Sequence, residues 1–388
     1  MSNHAVTPPS PTPRSGGSRH RYLRHLSLPD FSEATQAQLG QARVLIVGMG
    51  GLGCPCAQYL AAAGIGELIL VDPDTVDQSN LQRQILYREA DCGALKVTVA
   101  ARTLGALNAD LRLETHPCAL DADNALALVE ASDLVIDGSD NFPTRYLVND
   151  ACVLAGKPLI YGSVFRYEGQ VSVLHYEGGP CYRCLYPEPP EPGSIPDCAA
   201  GGVLGVLPGF IGTAQATEAI KVLTGIGTAL KGRLWMLDAL SMATRVLSFD
   251  RNTDCPVCGD HPTIRTLSSP GRLCQNTAPQ QEPHAMNVHE FKAARERGEP
   301  LFLLDVREAF EVAICSIPGT DRVIPLGQLA DSLDQLDPEQ DIVVYCRMGG
   351  RSQNAVNILL HHGFAKVRNL DGGVLAWAEH IDPSIHTY

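Results

Sequence analysis

Arg43-Val44-Leu45-Ile46-Val47-Gly48-Met49-Gly50-Gly51-Leu52-Gly53 decides the fold. The apolar run 43–47 predicts a buried strand. The G-x-G-x-x-G that follows predicts a tight turn, and the Ala-rich stretch to Ala63 a helix. Gly64 and Gly66 mark that helix's end. Glycines there let backbone N–H groups approach a phosphate, and the helix N-terminus favours its charge.

Working outward, 68–71 reads as a second apolar strand and 94–107 as a helix. Residues 134–136 and 159–161 read as further buried strands. This β-α-β alternation predicts an α/β fold with a parallel, doubly wound sheet, Rossmann-like in character. Residues 170–176 and 233–237 read as strands of an appended sheet. Residues 259–285 carry Pro262, Pro270, Pro279 and Pro283 with few large apolar side chains, so they read as a linker. After it the chain starts again: helix 288–297, strand 301–305, strand 342–345, a loop, then helix 352–361. About a hundred residues suffice for a second small α/β domain. There is no internal repeat. The expected organisation is an arm (1–20), a nucleotide-binding domain (21–259), a linker (260–285) and a small domain (286–388).

Asp72 follows Gly53 by 19 residues and ends the next strand, where a carboxylate meets ribose hydroxyls. Alone, this pattern reads as a dinucleotide dehydrogenase, or as a glycine-rich turn without a ligand. Ser79-Asn80-Leu81-Gln82-Arg83-Gln84 and Lys96 change that reading. Arg83 and Lys96 read either as contacts to a triphosphate or as a solvated surface pair. Asp140-Asn141 is read as the end of another strand, at the sheet edge where ligands bind, and Asp140 as a magnesium ligand.

Val-Gly-Met-Gly-Gly-Leu-Gly, Val-Asp-Pro-Asp, Ser-Asn-Leu-Gln-Arg-Gln, Lys96 and Ser-Asp-Asn together resemble the MoeB/ThiF adenylyltransferases, relatives of ubiquitin-activating enzymes. The resemblance runs from about Arg21 to about Gly259 and implies ATP, not NAD. It implies that Gly51, Asp72, Ser79, Asn80, Leu81, Gln82, Arg83, Lys96, Asp140 and Asn141 contact ATP or its Mg2+. Arg21-Tyr22-Leu23-Arg24-His25 resembles the family's N-terminal arm. In that family an arginine of the arm reaches the triphosphate of the other subunit, which implies a homodimer with Arg24 in this role.

Cys181-x-x-Cys184 and Cys255-x-x-Cys258 have 70 residues between them. Two such knuckles supply four thiolates for tetrahedral Zn2+, each pair stapling a distant loop. Read without the metal, they are two unrelated redox or buried pairs. The family resemblance implies a structural zinc, closed to catalysis.

Cys346-Arg347-Met348-Gly349-Gly350-Arg351-Ser352 lies between an apolar strand and a helix. Backbone N–H groups and a helix N-terminus there stabilise a thiolate or persulfide anion, and Arg347 and Arg351 add positive charge. The plain alternative is a buried structural cysteine. With Leu304-Asp305-Val306-Arg307-Glu308, Ile317-Pro318-Gly319 and Leu370-Asp371-Gly372-Gly373 before Trp377, residues 286–388 resemble a rhodanese domain. The six-residue loop 346–351 matches sulfurtransferases; related phosphatases have a longer one. Asp305 and Arg307 read as scaffold. Cys198 sits in a small-residue loop and reads as an acyl acceptor, as the resemblance allows, or as a dispensable thiol. Cys54 and Cys56 read as packing residues.

The chain has 388 residues, 45% apolar and 19% charged, with a net charge of −13. That balance excludes a broad nucleic-acid face and electrostatic docking on an anionic membrane. No stretch approaches the ~18 apolar residues of a membrane helix; the best, 203–212, is broken by Gly205, Pro208 and Gly209. Residues 1–19 lack a signal peptide's apolar region and read as a disordered arm. An odd count of 13 Cys, four in C-x-x-C pairs, reads as cytoplasmic thiol chemistry.

The fusion resembles the molybdopterin-synthase type. It implies ATP-dependent activation of the C-terminal Gly-Gly of a small ubiquitin-like sulfur-carrier protein. Sulfur from thiosulfate or a cysteine desulfurase would then pass through a Cys346 persulfide. Carriers for thiamine, cysteine, other sulfur metabolites or tRNA thiolation fit as well. The competing readings are a non-catalytic scaffold for carrier and donor, an enzyme ending at a Cys198 thioester, and an NAD-dependent oxidoreductase with a regulatory C-terminal domain.

Overall fold

The runs of branched apolar residues in the first half pair as an eight-stranded sheet. The computed structural model describes residues 20–190, 202–267 and 284–387. The arm 1–19, Cys198, Cys274 and the linker segment 268–283 lie outside the described residues. Chain contacts define two units, one of residues 20–187 with 203–267, the other containing 284–387.

In the first unit the strands are β1 (Arg43–Val47), β2 (Glu67–Val71), β3 (Arg112–His116), β4 (Leu134–Asp137), β5 (Leu159–Phe165), β6 (Glu168–Leu174), β7 (Arg233–Asp238) and β8 (Ala243–Ser248). Their order is β3-β2-β1-β4-β5-β6-β7-β8. The first five run parallel. Alternate residues serve opposite faces, as a pleated strand requires. Val44, Ile46, Leu68, Leu70 and Ile136 join one core; Leu45, Val47, Ile69, Val71 and Val135 join the other. The chain leaves β1 toward β2 on one side and returns to β4 on the other, so the loops after β1 and β4 diverge around a crevice.

The strands expected to form an appended sheet instead continue this one, antiparallel. Only Arg166 and Tyr167 separate β5 from β6, with Arg166 at φ 53. Two residues turn a hairpin but cannot carry a parallel crossover. Contrary to expectation, Pro208 and Gly209 do not break the stretch 203–212; residues 207–212 open the Leu207–Thr224 helix. Pro208 stands in its first turn, where the missing N–H costs nothing.

The second unit holds β9 (Ala285–Met286), β10 (Leu301–Asp305), β11 (Arg322–Val323), β12 (Asp341–Tyr345) and β13 (Val367–Leu370). They form one parallel sheet in the order β11-β10-β12-β13-β9. Val344 and Cys346 pack on one side, Val343 and Tyr345 on the other. Asp305 and Arg307 form an ion pair with both side chains at 0% exposure. Three nitrogens of Arg307 reach the carboxylate: its backbone N–H, Nε and Nη2. Nη2 also donates to the Cys315 carbonyl at 2.8 Å.

Removing one member strands a buried charge. Arg307→Leu should destabilise the second unit by about 3–5 kcal/mol, and Asp305→Leu with Arg307→Leu by less. Urea unfolding followed by Trp377 fluorescence, in a Trp235→Phe background, measures both.

Candidate functional site

The first site lies where β1 and β4 end side by side. Gly48 has φ +92, and a Cβ on it would lie 2.7 Å from the Gly138 oxygen. A Cβ on Gly53 would lie 2.0 Å from the Gly48 oxygen. Only glycine fits at these points. No side chain caps the start of the Gly53–Ala63 helix, which leaves that end to an anion.

Asp72, 5% exposed, accepts the Met49 N–H at 2.7 Å and the Asp74 N–H at 2.8 Å. It therefore pins the glycine loop as well as facing it. Burial pushes its carboxyl above the ordinary range, and the Lys96 ammonium pulls the other way. Lys96 is buried and donates to Asp74 at 2.7 Å. Tyr87 donates to the Met49 carbonyl at 2.7 Å.

The segment 79–84 closes on the same loop. A Cβ on Gly51 would lie 3.6 Å from Arg83 Cγ, and one on Gly205 would meet the Gln82 side chain at 2.1 Å. Arg83 holds its own turn by donating to the Ser79 carbonyl at 3.0 Å. The Ser79 N–H and hydroxyl both bond Asp77, and Asn80 donates to Ser79. Leu81 is partly buried against the core. Gln84 is 3% exposed, and its Oε1 has no partner among the described residues. A Cβ on Gly50 would sit 3.7 Å from its Nε2. A glycine cradle, an uncapped helix start and an unsatisfied buried amide oxygen fit a nucleotide.

Asp140 and Asn141 do not end a strand. β4 ends at Asp137, and both residues lie in the exposed loop beyond. Asn141 caps the Phe142–Ala155 helix by accepting the Thr144 N–H at 2.9 Å. Asp137, fully buried, pairs with Arg145 and accepts from Ser139. Burial pushes its carboxyl up, against Arg145. Arg24 is exposed on the Leu23–Leu26 helix. The preceding Tyr22 packs at Gly64, where a Cβ would lie 2.4 Å from its ring. Gly64 closes the end of the Gly53–Ala63 helix remote from the glycine loop, roughly 16 Å along its axis.

The four cysteines converge. The ligand atoms of Cys181, Cys184, Cys255 and Cys258 lie within 4.8 Å of one another. Sγ separations of 3.6, 3.9 and 3.3 Å bracket the ~3.8 Å that tetrahedral Zn–S bonds impose. The Asn252 N–H also reaches Cys184 Sγ at 3.4 Å, as a support for thiolate. Hydrogen bonds from Cys181 and Cys258 hold the Cys184 thiol well below its ordinary value. All four donors are sulfur and none leaves an obvious open position, so the set fits zinc as a structural ion.

In the second unit Cys346 follows the central strand β12 and is 2% exposed. Its sulfur accepts the Gly349 N–H at 3.1 Å; the Ser352 hydroxyl stands 3.4 Å from the sulfur and 2.9 Å from the Gly349 carbonyl, with one proton to give between them. Gly349 has φ +103, which frees that N–H to turn inward. The Cys346 carbonyl takes the Val374 N–H at 2.9 Å, tying the loop to the Gly373–His380 helix. Arg347 is half-buried. Arg351 does not simply add charge: both its Nη atoms pair with the Glu311 carboxylate at 2.6 Å.

Sequence reading missed Asp74, Tyr87, Gln84, Ser352 and Glu311 as site residues. Asp74 stood in the quoted Val-Asp-Pro-Asp motif and Gln84 in the second Gln of Arg-Gln; Glu311 lies 40 residues from its partner and left no local signal.

The ThiF family model matches residues 22–257 and the rhodanese-like domain model residues 287–380. "Adenylyltransferase and sulfurtransferase MOCS3" of Mus musculus is 43% identical, over 99% of this chain and 91% of its own. "Adenylyltransferase and sulfurtransferase MOCS3-2" of Zea mays is 41% identical, over 95% and 81%. "Probable adenylyltransferase/sulfurtransferase MoeZ" of Mycobacterium tuberculosis is 40% identical, over 98% and 99%. The crystal structure of E. coli MccB with ATP matches with TM-score 0.55 at 24% identity, over 61% of this chain and 74% of that one, which speaks to fold alone. Matched by one family model around the glycine loop and by a second around Cys346, and akin along nearly its whole length to proteins named for both adenylyl and sulfur transfer, this chain belongs to the ThiF family of adenylyltransferases with a C-terminal rhodanese-like domain.

Proposed function

We propose that this chain adenylylates the C-terminal glycine of a small ubiquitin-like sulfur-carrier protein and then converts it to a thiocarboxylate, in molybdopterin or related sulfur-cofactor synthesis. The observation that carries the reading is the pairing of two chemistries in one chain. One is a glycine cradle with Arg83 and Lys96; the other is a cysteine whose sulfur receives a backbone amide, with a hydroxyl within reach. The relatives named adenylyltransferase and sulfurtransferase support both halves.

The carrier's carboxylate attacks the α-phosphate of ATP, forming an acyl-phosphate bond and releasing pyrophosphate. Asp72 receives the ribose, and Ser79, Asn80, Leu81 and Gln82 shape the wall beside Gly51. Arg83 and Lys96 offset the charge that gathers on the phosphates. Lys96 is held for this by Asp74, an exchange of one carboxylate partner for an anionic ligand. Asp140, with Asn141 beside it, would hold the Mg2+, which neutralises phosphate charge. Arg24 of the partner subunit would reach the triphosphate in a homodimer.

Cys346 takes sulfane sulfur from thiosulfate or a cysteine desulfurase as a persulfide. The persulfide attacks the acyl-adenylate carbonyl and AMP leaves. Reduction of the resulting acyl disulfide, by an external thiol or by Cys198, frees the thiocarboxylate. Joining the two units in one chain raises the effective concentration of each for the other. A reducing, cytoplasmic compartment suits this thiol chemistry. Among the described residues no helix is long and apolar enough to cross a membrane.

Incubated with carrier, ATP, magnesium and thiosulfate, the protein should add about 16 Da to the carrier, oxygen giving way to sulfur, as intact-mass spectrometry reads. Cys346→Ala should abolish the gain. No gain and no ATP–pyrophosphate exchange with any carrier would favour the non-catalytic scaffold.

Lys96→Ala or Arg83→Ala should slow ATP–pyrophosphate exchange by about 10²–10³-fold. Elemental analysis should find about one zinc per chain. Cys258→Ser or chelation should remove it and lower the unfolding midpoint of the first unit by roughly 5–10 °C.

A further inference from the structure

Of the two arginines in the Cys346 loop, Arg347 and Arg351, the second has its charge matched by a carboxylate. Arg351 directly precedes Ser352, whose hydroxyl touches the Cys346 sulfur. Its guanidinium faces Glu311 as a two-point pair, Nη1 to Oε2 and Nη2 to Oε1, at 2.6 Å each. The Glu311 side chain is 7% exposed and that of Arg351 19%. Water screens such a pair poorly, so the two charges cancel at close range. Glu311 is itself held in place. Its Oε2 accepts the Glu308 N–H at 2.9 Å, in a capping box at the start of the Ala309–Ile314 helix. In the middle of the loop the exposed side chain is apolar, Met348 at 67%.

We infer that Glu311 selects the sulfur donor: by neutralising Arg351 it sets the loop against multiply charged small donors and leaves it suited to an organic persulfide. This rests on the sulfurtransferase reading above. The chemistry makes charge decisive. The Cys346 thiolate attacks the outer sulfur of the donor, forming a new S–S bond while the donor's own S–S bond breaks. With thiosulfate the electron pair leaves on sulfite, and an anion must approach a dianion. With an organic persulfide the electron pair leaves on the donor's thiolate, and the reacting –S–SH group brings at most one charge. No oxidant or reductant is consumed in either case. A cation free at the loop would draw thiosulfate in and stabilise departing sulfite. A cation already paired does so weakly.

The test compares two donors with the same sulfane chemistry, thiosulfate (a dianion) and methanethiosulfonate (a monoanion), in the full chain, with cyanide as acceptor. Glu311→Gln keeps an oxygen for the Glu308 N–H, so the helix cap survives. It should raise kcat/KM for thiosulfate about ten-fold, mainly through KM, and for methanethiosulfonate no more than about three-fold. Arg351→Lys cannot hold both carboxylate oxygens and should move the ratio the same way by a smaller factor. In Glu311→Gln with Arg351→Met the gain should vanish. Equal factors for both donors, or a gain that persists without Arg351, would overturn the assignment of Glu311 while leaving sulfur transfer intact. Absence of a 32 Da persulfide adduct on Cys346 in the unaltered protein, with every donor, would instead overturn the sulfurtransferase reading and this inference with it.

Discussion

No side chain fits between the ends of β1 and β4. The backbone at Gly48, Gly53 and Gly138 approaches so closely that a Cβ on any of the three would fall within 2.7 Å of a carbonyl oxygen. This contact lets the Gly53–Ala63 helix begin directly at the strand end, with its uncapped turn facing the crevice. The loop is then held from the neighbouring strand, because Asp72 at the end of β2 grips the Met49 N–H. Tyr87 takes the Met49 carbonyl. Both polar groups of one loop residue are thus satisfied by the walls of the site, and the loop keeps its shape without a ligand.

Four cations of the two units are matched to carboxylates, and burial separates their roles. Arg307 with Asp305 and Arg145 with Asp137 have nearly no exposure on either side. Such pairs set geometry, because neither charge can be given up without a large cost. Lys96 with Asp74 differs. The lysine is buried, but the Asp74 side chain is 63% exposed and can turn to water when an anion arrives. Arg351 with Glu311 stands between these cases. The same chemical pair is a strut where both members are buried and a latch where one faces solvent.

The sequence was legible where the physics is local. β1 spans the residues that the apolar run marks, and the Gly53–Ala63 helix ends at Gly64, in the left-handed conformation that glycine allows. The four cysteines and the Cys346 loop were legible for the same reason, since a metal knuckle or a strand–loop–helix turn is written in adjacent residues. What involves distant residues was not. Lys96 and Asp74 are 22 apart, and Arg351 and Glu311 are 40 apart. The sequence reading places Asp140 at a strand end, whereas the strand closes on Asp137, buried with Arg145. β8 left no signal at all: every residue in it is exposed, so no alternation marks it. Its place at the sheet edge comes from the β7 ladder alone.

A chain with 13 cysteines that handles sulfane sulfur must also keep that sulfur from going astray. For Cys54, Cys56 and Cys152 the fold does this by burial. Burial alone surrounds Cys56, and burial dominates at Cys152; both thiols are pushed up. Cys54 is pushed up to about 12 by burial, although hydrogen bonds and Lys96 oppose it. A thiol that stays protonated is a poor nucleophile toward a donor's outer sulfur. Cys181, Cys184, Cys255 and Cys258 face one another, and a metal shared among four sulfurs removes them from exchange. Cys346 is buried too, yet the Gly349 N–H points at its sulfur and the Ser352 hydroxyl lies within 3.4 Å. Burial alone keeps a thiol protonated, and only a hydrogen-bond donor aimed at the sulfur can hold negative charge there. Positive φ serves the two loops differently: at Gly349 it turns an N–H toward the Cys346 sulfur, and at Gly48 it lets the backbone pass Gly138 with no room for a Cβ.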